Sequence, residues 1–175
     1  MKHRVLILCT ANSARSQMAE GLLRALAGDR FEVYSAGTRA TQVNPFAIAA
    51  MQQRGIDISN QHSKALTEYL TQPFEYVITV CDNAAENCPI FPGPAARIHW
   101  GFPDPAAVEG SDAERLAAFA SVRDAIVKSG ILQTFPTIDL ETQKVGVFGR
   151  LVKPDMALRP GDRVEIYRPI TCDPQ

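Results

Sequence analysis

Short apolar runs alternate with amphipathic stretches between residues 4 and 128. Runs rich in Val, Ile and Leu predict strands, and apolar residues at helical spacing predict helices. The predicted strands cover 4–9, 32–35, 76–80 and 96–100, and the predicted helices cover 16–27, 45–51 and 111–128, the last with Ser111 as N-cap. This alternation is typical of a parallel sheet with helices on both faces, so the sequence predicts an α/β domain.

The pattern changes after Gly130. Strand-like runs at 145–148, 151–153 and 163–167 follow one another without intervening helices, and Gly and Pro residues separate them. Closely spaced strands joined by such turns predict antiparallel β-structure. We therefore expect a boundary at 128–132, between a domain at 1–130 and a β segment built on a different plan at 131–175.

Composition narrows the class of protein. The 175 residues carry a formal charge of −1 and are 46% apolar, which suits one ordinary domain and gives no sign of a nucleic-acid or anionic-membrane partner. No apolar run approaches the roughly 18 residues of a membrane span. The apolar run at 5–8 is too short for a signal peptide, so we expect a cytoplasmic protein.

The chain has four cysteines, Cys9, Cys81, Cys88 and Cys172. In a cytoplasmic protein they are expected as thiols rather than as structural disulfides. Six residues separate Cys81 from Cys88, and no second pair of Cys or His residues lies near them, which does not fit a zinc site. We expect neither a metal nor a cofactor.

The segment between the first predicted strand and the first predicted helix carries the clearest chemistry. Its sequence is Cys9-Thr10-Ala11-Asn12-Ser13-Ala14-Arg15-Ser16. A tight loop at this place turns consecutive backbone N–H groups inward and forms a nest for a tetrahedral oxyanion, to which the following helix adds its positive end. The Arg15 guanidinium can hold two oxygens of such an anion. We therefore expect all seven residues from Thr10 to Ser16 to bind an oxyanion.

The same loop favours a reactive Cys9. Positive potential from Arg15 and the loop amides favours the thiolate, and Ser16 can donate a hydrogen bond to it. Asn12 suits a left-handed turn position. The alternative is a buried structural cysteine beside a solvent-facing arginine, since the bare spacing occurs often by chance. Agreement of strand, loop, helix and Ser16 favours the functional interpretation.

The run VLILCTANSARSQMAE at 5–20 resembles the low-molecular-weight protein tyrosine phosphatase family and, within it, the arsenate reductase branch. Further segments continue the resemblance in order across 3–128, at 34–38, 54–59, 76–89 and 99–107. The resemblance implies a flavodoxin-like, doubly wound, four-stranded parallel sheet. It implies that Cys9 is the nucleophile, that Arg15 and the loop amides bind the oxyanion, and that Asp104 is the general acid. From the residues alone, Asp104 before Pro105 is more typical of a turn.

Within that branch, cysteines at the positions of Cys81 and Cys88 supply the electrons for arsenate reduction. The resemblance implies that Cys9 attacks arsenate and that a Cys9–Cys81 disulfide forms as arsenite leaves. Cys88 then forms a Cys81–Cys88 disulfide, which thioredoxin reduces. Glutaredoxin or mycothiol stays open as the reductant. Phosphate and sulfate are expected as ligands that resemble arsenate.

Geometry adds a constraint on the relay. Seven residues of α-helix span about 10.5 Å, whereas a disulfide needs its Cα atoms within about 7 Å. A helix between Cys81 and Cys88 must therefore unwind on oxidation. We expect a short, marginal helix within a mobile segment at 81–90.

Other interpretations of these residues stay open. Cys81 and Cys88 are also typical of small buried apolar residues. The same loop suits a phosphatase acting on phosphotyrosine or a small phosphoester, which needs one cysteine. Family phosphatases commonly carry tyrosines after the Asp-Pro pair, whereas this chain has Ala-Ala-Val at 106–108. An oxyanion sensor that uses the tail is disfavoured by the complete set of Cys9, Arg15 and Asp104, and Cys172 has no matching role.

Two positions depart from the family pattern. Ala11 stands where glycine is usual. Some relatives bind potassium beside the loop through Asn, Glu, Ser and Asp side chains. Asn12, Glu20 and Ser35 match the first three, but Lys64 stands in place of the Asp. A lysine ammonium in the cation's place predicts that no potassium is required, and the alternative is an exposed residue at a helix start.

The segment at 129–174 resembles the C-terminal half of the RnfH family, a ubiquitin-like β-grasp group, chiefly through LRPGDRVEIY at 158–167. Members of that family begin with a β-hairpin that has no counterpart here. The resemblance therefore implies an incomplete β-grasp whose face or edge needs a cover, from the first domain or from a second chain, unless it stays partly ordered. A protein-interaction module and a remnant of gene fusion both fit, and the remnant is favoured.

Overall fold

The computed structural model describes residues 1–93 and 95–129, together with the backbone of three strands near the C-terminus. The first part contains β1 (His3–Cys9), β2 (Phe31–Gly37), β3 (Tyr76–Thr79) and β4 (Ala96–His99). These strands pair in parallel in the order β2-β1-β3-β4. This is the flavodoxin-like order, and the four predicted strands are confirmed to within two residues at each end.

The helices follow the sequence pattern equally closely. They are α1 (Arg15–Ala27), α2 (Pro45–Gln52), α3 (Asp82–Glu86) and α4 (Asp112–Lys128), with 3₁₀ turns at Leu66–Tyr69 and Pro105–Ala107. The Asn44 side chain caps α2 by accepting a hydrogen bond from the amide of Phe46. Ser111 caps α4, as predicted, and the structure adds a reciprocal hydrogen bond from Glu114.

The core forms on both faces of β1 because its side chains are apolar in both directions. Leu6, Ile7 and Leu8 point alternately to opposite faces, and each is at most 1% exposed. The Tyr34 ring of β2 lies 5.7 Å from the ring of Tyr69, which adds cover from the first 3₁₀ turn. Helix α1 packs on β1 and β2, and α2 and α4 pack on α1 and on each other.

Three more strands extend the sheet beyond β4. They are β5 (Lys144–Val147), β6 (Arg150–Val152) and β7 (Val164–Tyr167). β5 pairs antiparallel with β6 and β7, as the turn pattern predicts, whereas β7 runs parallel to β4. Strand β4 therefore covers one edge of β7. The division near residue 130 stays a prediction, and Cys172 lies outside the described residues.

The topology brings the predicted site residues to one edge of the sheet. Parallel strands place their carboxyl ends together, which is where ligands bind in such folds. Cys9 ends β1, Cys81 follows β3 by two residues, and Asp104 follows β4 by five. Across the described part of the chain, no helix combines the length and apolar character that crossing a membrane requires.

Candidate active site

The loop between β1 and α1 has its carbonyl groups turned away from its centre. Backbone amides at 38–44 donate to the carbonyl oxygens of four loop residues, at 2.9 to 3.2 Å: Cys9, Thr10, Ala11 and Ser13. The carbonyl oxygen of Asn12 accepts from the side chains of Gln17 and Ser63. With the carbonyls bonded outward, the N–H groups between them face the interior of the loop, which supports the predicted nest.

Asn12 fixes this loop from inside. Its φ is 48°, which confirms the predicted left-handed position. Its Nδ2 donates to the hydroxyls of Ser16 and Ser35 at 2.9 Å, and its Oδ1 accepts from Gln17 Nε2 at 2.9 Å and from the Lys64 amide at 2.8 Å. A buried amide with all these bonds ties the loop to three other parts of the chain. The predicted donation from Ser16 to Cys9 stays a prediction.

Strand β2 meets the loop at Gly37. A Cβ atom on Gly37 would lie 2.5 Å from the carbonyl oxygen of Thr10 and 2.8 Å from the amide nitrogen of Asn12. Both neighbours are backbone atoms of the loop at 9–16, called the oxyanion loop after its predicted ligand, so a side chain on Gly37 would displace that loop. The sequence pattern indicated a strand end at Gly37 but not this close approach.

Arg15 begins α1, and its guanidinium reaches the segment that follows β4. Its Nη1 donates to the carbonyl oxygen of Phe102 at 2.9 Å, and its Nη2 lies 3.8 Å from Asp104 Oδ1. Its Nε is buried and has no hydrogen-bond partner among the described residues. An unpaired buried donor is costly, and an oxyanion in the nest would accept from it.

Asp104 combines both of the roles weighed from sequence. Its Oδ1 accepts a hydrogen bond from the Ala106 amide at 3.1 Å, as a turn residue does. The same carboxylate is half exposed, and its Oδ1 lies 3.8 Å from Arg15 Nη2. The structure therefore brings Asp104 to the site together with Cys9 and Arg15.

The thiols of Cys9 and Cys81 are buried where the neighbouring strands β1 and β3 end, and Cys81 Sγ lies 3.4 Å from the hydroxyl of Thr10, the residue after Cys9. Hydrogen bonding with the Cys9 thiol is the largest effect lowering the pKa of Cys81 to about 5, with further lowering from the Thr10 hydroxyl, the Ala84 amide and Arg15. The same hydrogen bond, followed by burial, raises the pKa of Cys9, against the opposing charge of Arg15. These opposite shifts favour one proton and one negative charge on the pair of sulfurs. The predicted thiolate on Cys9 stays a prediction.

Cys88 lies beyond the opposite end of α3 from Cys81. Helix α3 has five residues, which confirms the predicted short helix. Cys88 is half-buried and lines a small cavity with Val77, Ala85 and Arg97. Cys9, Cys81 and Cys88 are all in the reduced, thiol form here. The reduced structure thus brings Cys9 and Cys81 together and keeps Cys88 at the far end of the helix, while mobility at 81–90 stays a prediction.

Lys64 is buried beside the loop, so the alternative of an exposed residue is wrong. Its Nζ lies 3.3 Å from Glu20 Oε2 and donates to the His62 carbonyl oxygen at 3.0 Å. Ser35 also donates to Glu20 and accepts from Asn12. The ammonium therefore sits beside the same Asn, Glu and Ser side chains that match the potassium ligands of some relatives.

Comparison with known proteins agrees with this geometry. Residues 4–143, most of the chain, match the family described as low molecular weight phosphotyrosine protein phosphatase. The chain belongs to this family. Residues 113–175 match the family described as RnfH family ubiquitin, which confirms the second resemblance. The two matches overlap at 113–143, a range that contains most of α4.

Within the phosphatase family, the chain is similar to proteins named arsenate reductase. The arsenate reductase of Halalkalibacterium halodurans is 50% identical over 127 residues, which are 73% of this chain and 91% of that protein. An arsenate reductase solved in an oxidized state is 31% identical, with a TM-score of 0.62 over 74% of this chain and 93% of that one. A thioredoxin-dependent arsenate reductase from Corynebacterium glutamicum is 29% identical, with a TM-score of 0.52 over 73% of this chain and 61% of that one. The predicted branch is thereby confirmed.

Proposed function

We propose that this protein reduces arsenate to arsenite through a three-cysteine relay and that thioredoxin recycles it. The observation that carries the proposal is the position of the Cys81 thiol beside the loop that begins at Cys9, where Cys81 Sγ lies 3.4 Å from the Thr10 hydroxyl and β3 pairs with β1. A phosphatase needs one nucleophilic cysteine, whereas reducing arsenic needs a second thiol within reach of the first. The identity of 50% to an arsenate reductase supports the same activity.

Cys9 performs the first step. The shared proton moves along the hydrogen bond to Cys81 and leaves the thiolate on Cys9, below an arsenate bound in the nest. Cys9 Sγ attacks arsenic, and Asp104 gives a proton to the departing oxygen, which leaves as water. Arg15 holds the remaining oxygens through its unpartnered Nε, in a site lined by the loop amides.

Cys81 then transfers the electrons. Its sulfur attacks Cys9 Sγ, the S–As bond breaks, and the electron pair stays on arsenic, which leaves as arsenite with the Cys81 proton on one of its oxygens. The Thr10 hydroxyl, 3.4 Å from Cys81 Sγ, stabilises the attacking thiolate. Cys88 next attacks Cys81, Cys9 leaves as a thiolate, and a thioredoxin dithiol reduces the Cys81–Cys88 disulfide and is itself oxidised.

A phosphatase is the second candidate, because the family match itself favours it. The same nest would hold a phosphate ester, and Cys9 would form a phosphocysteine that water hydrolyses. This activity leaves the Cys9–Cys81 contact and the placement of Cys88 without a role.

A coupled assay separates the two candidates. The protein is given arsenate, thioredoxin, thioredoxin reductase and NADPH, and the oxidation of NADPH is followed. Multiple turnovers are expected from the wild type and from Cys172→Ser, the matched control. Cys81→Ser and Cys88→Ser are expected to stop after one turnover at most. If arsenate oxidises no thiol while a Cys81→Ser/Cys88→Ser double variant hydrolyses p-nitrophenyl phosphate as well as the wild type, the phosphatase replaces the reductase.

We further propose that residues 1–130 form the catalytic domain and that residues 131–175 form a β segment that extends its sheet. The pairing of β7 with β4 supports this division of labour, since no proposed step uses the segment. A relay of free thiols needs a reducing compartment, so we place the protein in the cytoplasm. The contact of Lys64 with Glu20 supports activity without potassium.

A further inference from the structure

Two side chains of β4 contact opposite ends of the segment from Cys81 to Pro89, which contains α3. At the first end, His99 Nε2 lies 3.0 Å from Oδ1 of Asp82, the residue that follows Cys81. At the other end, Arg97 Nη1 donates to the carbonyl oxygen of Cys88 at 3.4 Å, and Arg97 Nη2 donates to the carbonyl oxygen of Pro89. Each end of the redox segment thus has its own contact with one strand.

Arg97 and His99 lie on the same face of β4 because they are two residues apart. Their partners on the neighbouring strand β3 are Val77, opposite Arg97, and Thr79, opposite His99. The hydroxyl Oγ1 of Thr79 lies 2.8 Å from His99 Nδ1. The carboxylate of Asp82 only accepts hydrogen bonds, so His99 Nε2 carries a proton and the ring is fixed between two partners. The cavity that Cys88 lines is bounded by all four of these β3 and β4 residues.

The second disulfide exchange requires one end of α3 to move. Cys81 is bonded to Cys9 at that stage, and Cys9 ends β1, which is paired on both sides, with β2 and β3. Cys88 must therefore approach Cys81, by roughly 3–4 Å if the spacing falls from helical to disulfide distance. The Arg97 contacts belong to the starting position of Cys88, whereas the His99 contact belongs to the end that stays in place.

We propose that His99 and Arg97 are positioning residues for this exchange, an inference that rests on the proposed relay. His99 anchors Asp82 and so keeps Cys81 in place, while Arg97 holds Cys88 in its reduced position and releases it as the disulfide forms. In the exchange, the Cys88 thiolate bonds to Cys81 Sγ and the Cys9–Cys81 bond breaks. Cys9 leaves with the electron pair, so no outside oxidant takes part.

The Arg97 contacts have a thermodynamic consequence. Hydrogen bonds that exist only in the reduced conformation stabilise the dithiol relative to the disulfide. Loss of both bonds from this charged donor is expected to shift the dithiol–disulfide equilibrium about tenfold toward the disulfide. For a two-electron couple, that shift is a fall of about 30 mV in reduction potential.

A redox titration tests the Arg97 half without arsenate. In a Cys9→Ser/Cys172→Ser background, Cys81 and Cys88 are the two remaining thiols, and their disulfide is measured against mixtures of reduced and oxidised dithiothreitol. If no Cys81–Cys88 disulfide forms at all, the proposed relay fails and this inference fails with it.

Variants in that background decide the role of Arg97. Arg97→Met is expected to shift the equilibrium about tenfold toward the disulfide, and Arg97→Lys, which keeps the charge and one donor group, is expected to shift it less. Arg54→Met is the matched control, because Arg54 is half exposed and pairs with Asp124 at 3.4 Å, outside the redox segment. Equal constants for Arg97→Met and Arg54→Met overturn the inference while leaving the relay intact.

Single-turnover experiments test the His99 half in the full chain. After arsenate is added, thiols are blocked at timed intervals and the disulfides are identified by mass spectrometry. His99→Ala and Asp82→Ala are each expected to raise the amount of the Cys9–Cys81 intermediate about tenfold. The double variant is expected to accumulate no more than either single variant, because both changes remove the same contact. Asp82→Asn keeps an oxygen acceptor and is expected to restore most of the rate.

A purely structural role would lower the unfolding temperature without accumulating this intermediate. His62→Gln, a change at an exposed histidine, is the control. A His99→Ala protein that resolves the Cys9–Cys81 disulfide as fast as this control overturns the anchoring role.

Discussion

The Cys9–Cys81 pair leads to a sharp prediction about charge at neutral pH. With the pKa of Cys81 lowered to about 5, roughly 99% of molecules carry one thiolate at pH 7, two units higher. An isolated thiol with a pKa near 8.5 would be only about 3% ionised at the same pH. The pair should therefore show one early ionisation step, followed by a second that is delayed because the pKa of Cys9 is raised.

Two substitutions separate the causes of this ionisation. Cys81→Ala removes the hydrogen bond that raises the pKa of Cys9, so the early step should disappear and one step for Cys9 should replace it at higher pH. Thr10→Val keeps the side-chain shape but loses the hydroxyl that lies 3.4 Å from Cys81 Sγ. A hydrogen bond of about 1 kcal/mol corresponds to about 0.7 pKa units, so the early step should rise by that amount.

The ultraviolet absorbance of the thiolate, followed against pH, measures these steps. Cys88→Ser and Cys172→Ser remove the other thiols from the titration. Thr41→Val is the matched control for Thr10→Val, because the Thr41 hydroxyl bonds to the Ala11 carbonyl oxygen and not to a sulfur. An early step that survives unchanged in Cys81→Ala would refute the shared charge and place the thiolate on Cys9 alone. A wild-type protein with no thiolate below pH 7 would refute the early ionisation altogether.

The same pair has opposing effects on stability as pH changes. Because the pKa of Cys81 is lower in the folded protein, its contribution is present above the ordinary thiol pKa and is lost as pH falls through about 5. Because the pKa of Cys9 is raised, its contribution is present below the ordinary thiol pKa and is lost at higher pH. The wild type should therefore gain stability relative to a Cys9→Ala/Cys81→Ala variant between about pH 5 and 8.5 and lose that gain above it, as measured by urea unfolding.

Further substitutions test the proposed general acid Asp104, the buried Lys64 and the close approach of Gly37 to the loop. Asp104→Asn should slow formation of the arsenic–Cys9 adduct about 10²–10⁴-fold in stopped-flow single turnovers while dithiothreitol still reduces the disulfides normally. Lys64→Met removes the ammonium group that lies 3.3 Å from the Glu20 carboxylate, and it should lower the free energy of unfolding by about 1–3 kcal/mol. In thermal unfolding, added potassium should restore part of this loss, whereas added sodium should not. Gly37→Ala places a Cβ 2.5 Å from the Thr10 carbonyl oxygen and should cost about 1–3 kcal/mol and weaken phosphate binding by calorimetry. Unchanged phosphate affinity would contradict that assignment.

The parts of the fold that were predictable from sequence are those whose causes are local. The cap of α4 needs Ser111 and Glu114, three residues apart, and both were visible in the sequence. The oxyanion loop lies within eight consecutive residues, so the left-handed Asn12 was predictable from the turn it must make. The apolar run of β1 predicted its burial on both faces.

Features that depend on distant contacts were not predictable in the same way. Lys64 is 52 residues from Asn12, and its burial follows from the hydrogen bond that its amide donates to that side chain. Gly37 meets the loop because β2 pairs with β1 in a register that no local pattern specifies. Arg97 and His99 occupied a predicted strand, but their contacts with α3 depend on which face of β4 the helix covers. The ionisation of Cys9 likewise depends on where the Cys81 thiol points.

The sheet explains how one oxyanion loop acquires a relay. Because β3 lies beside β1 in parallel, the chain leaves both strands at the same edge, and the Val80 amide donates to the Leu8 carbonyl oxygen at 2.9 Å. Cys81, one residue later, is thereby placed beside the end of β1, where Cys9 lies. Thr10 completes the connection, since its carbonyl is bonded outward while its hydroxyl lies beside Cys81. The proposed relay therefore requires no change of architecture, only a thiol at the end of the neighbouring strand and a second thiol beyond a short helix.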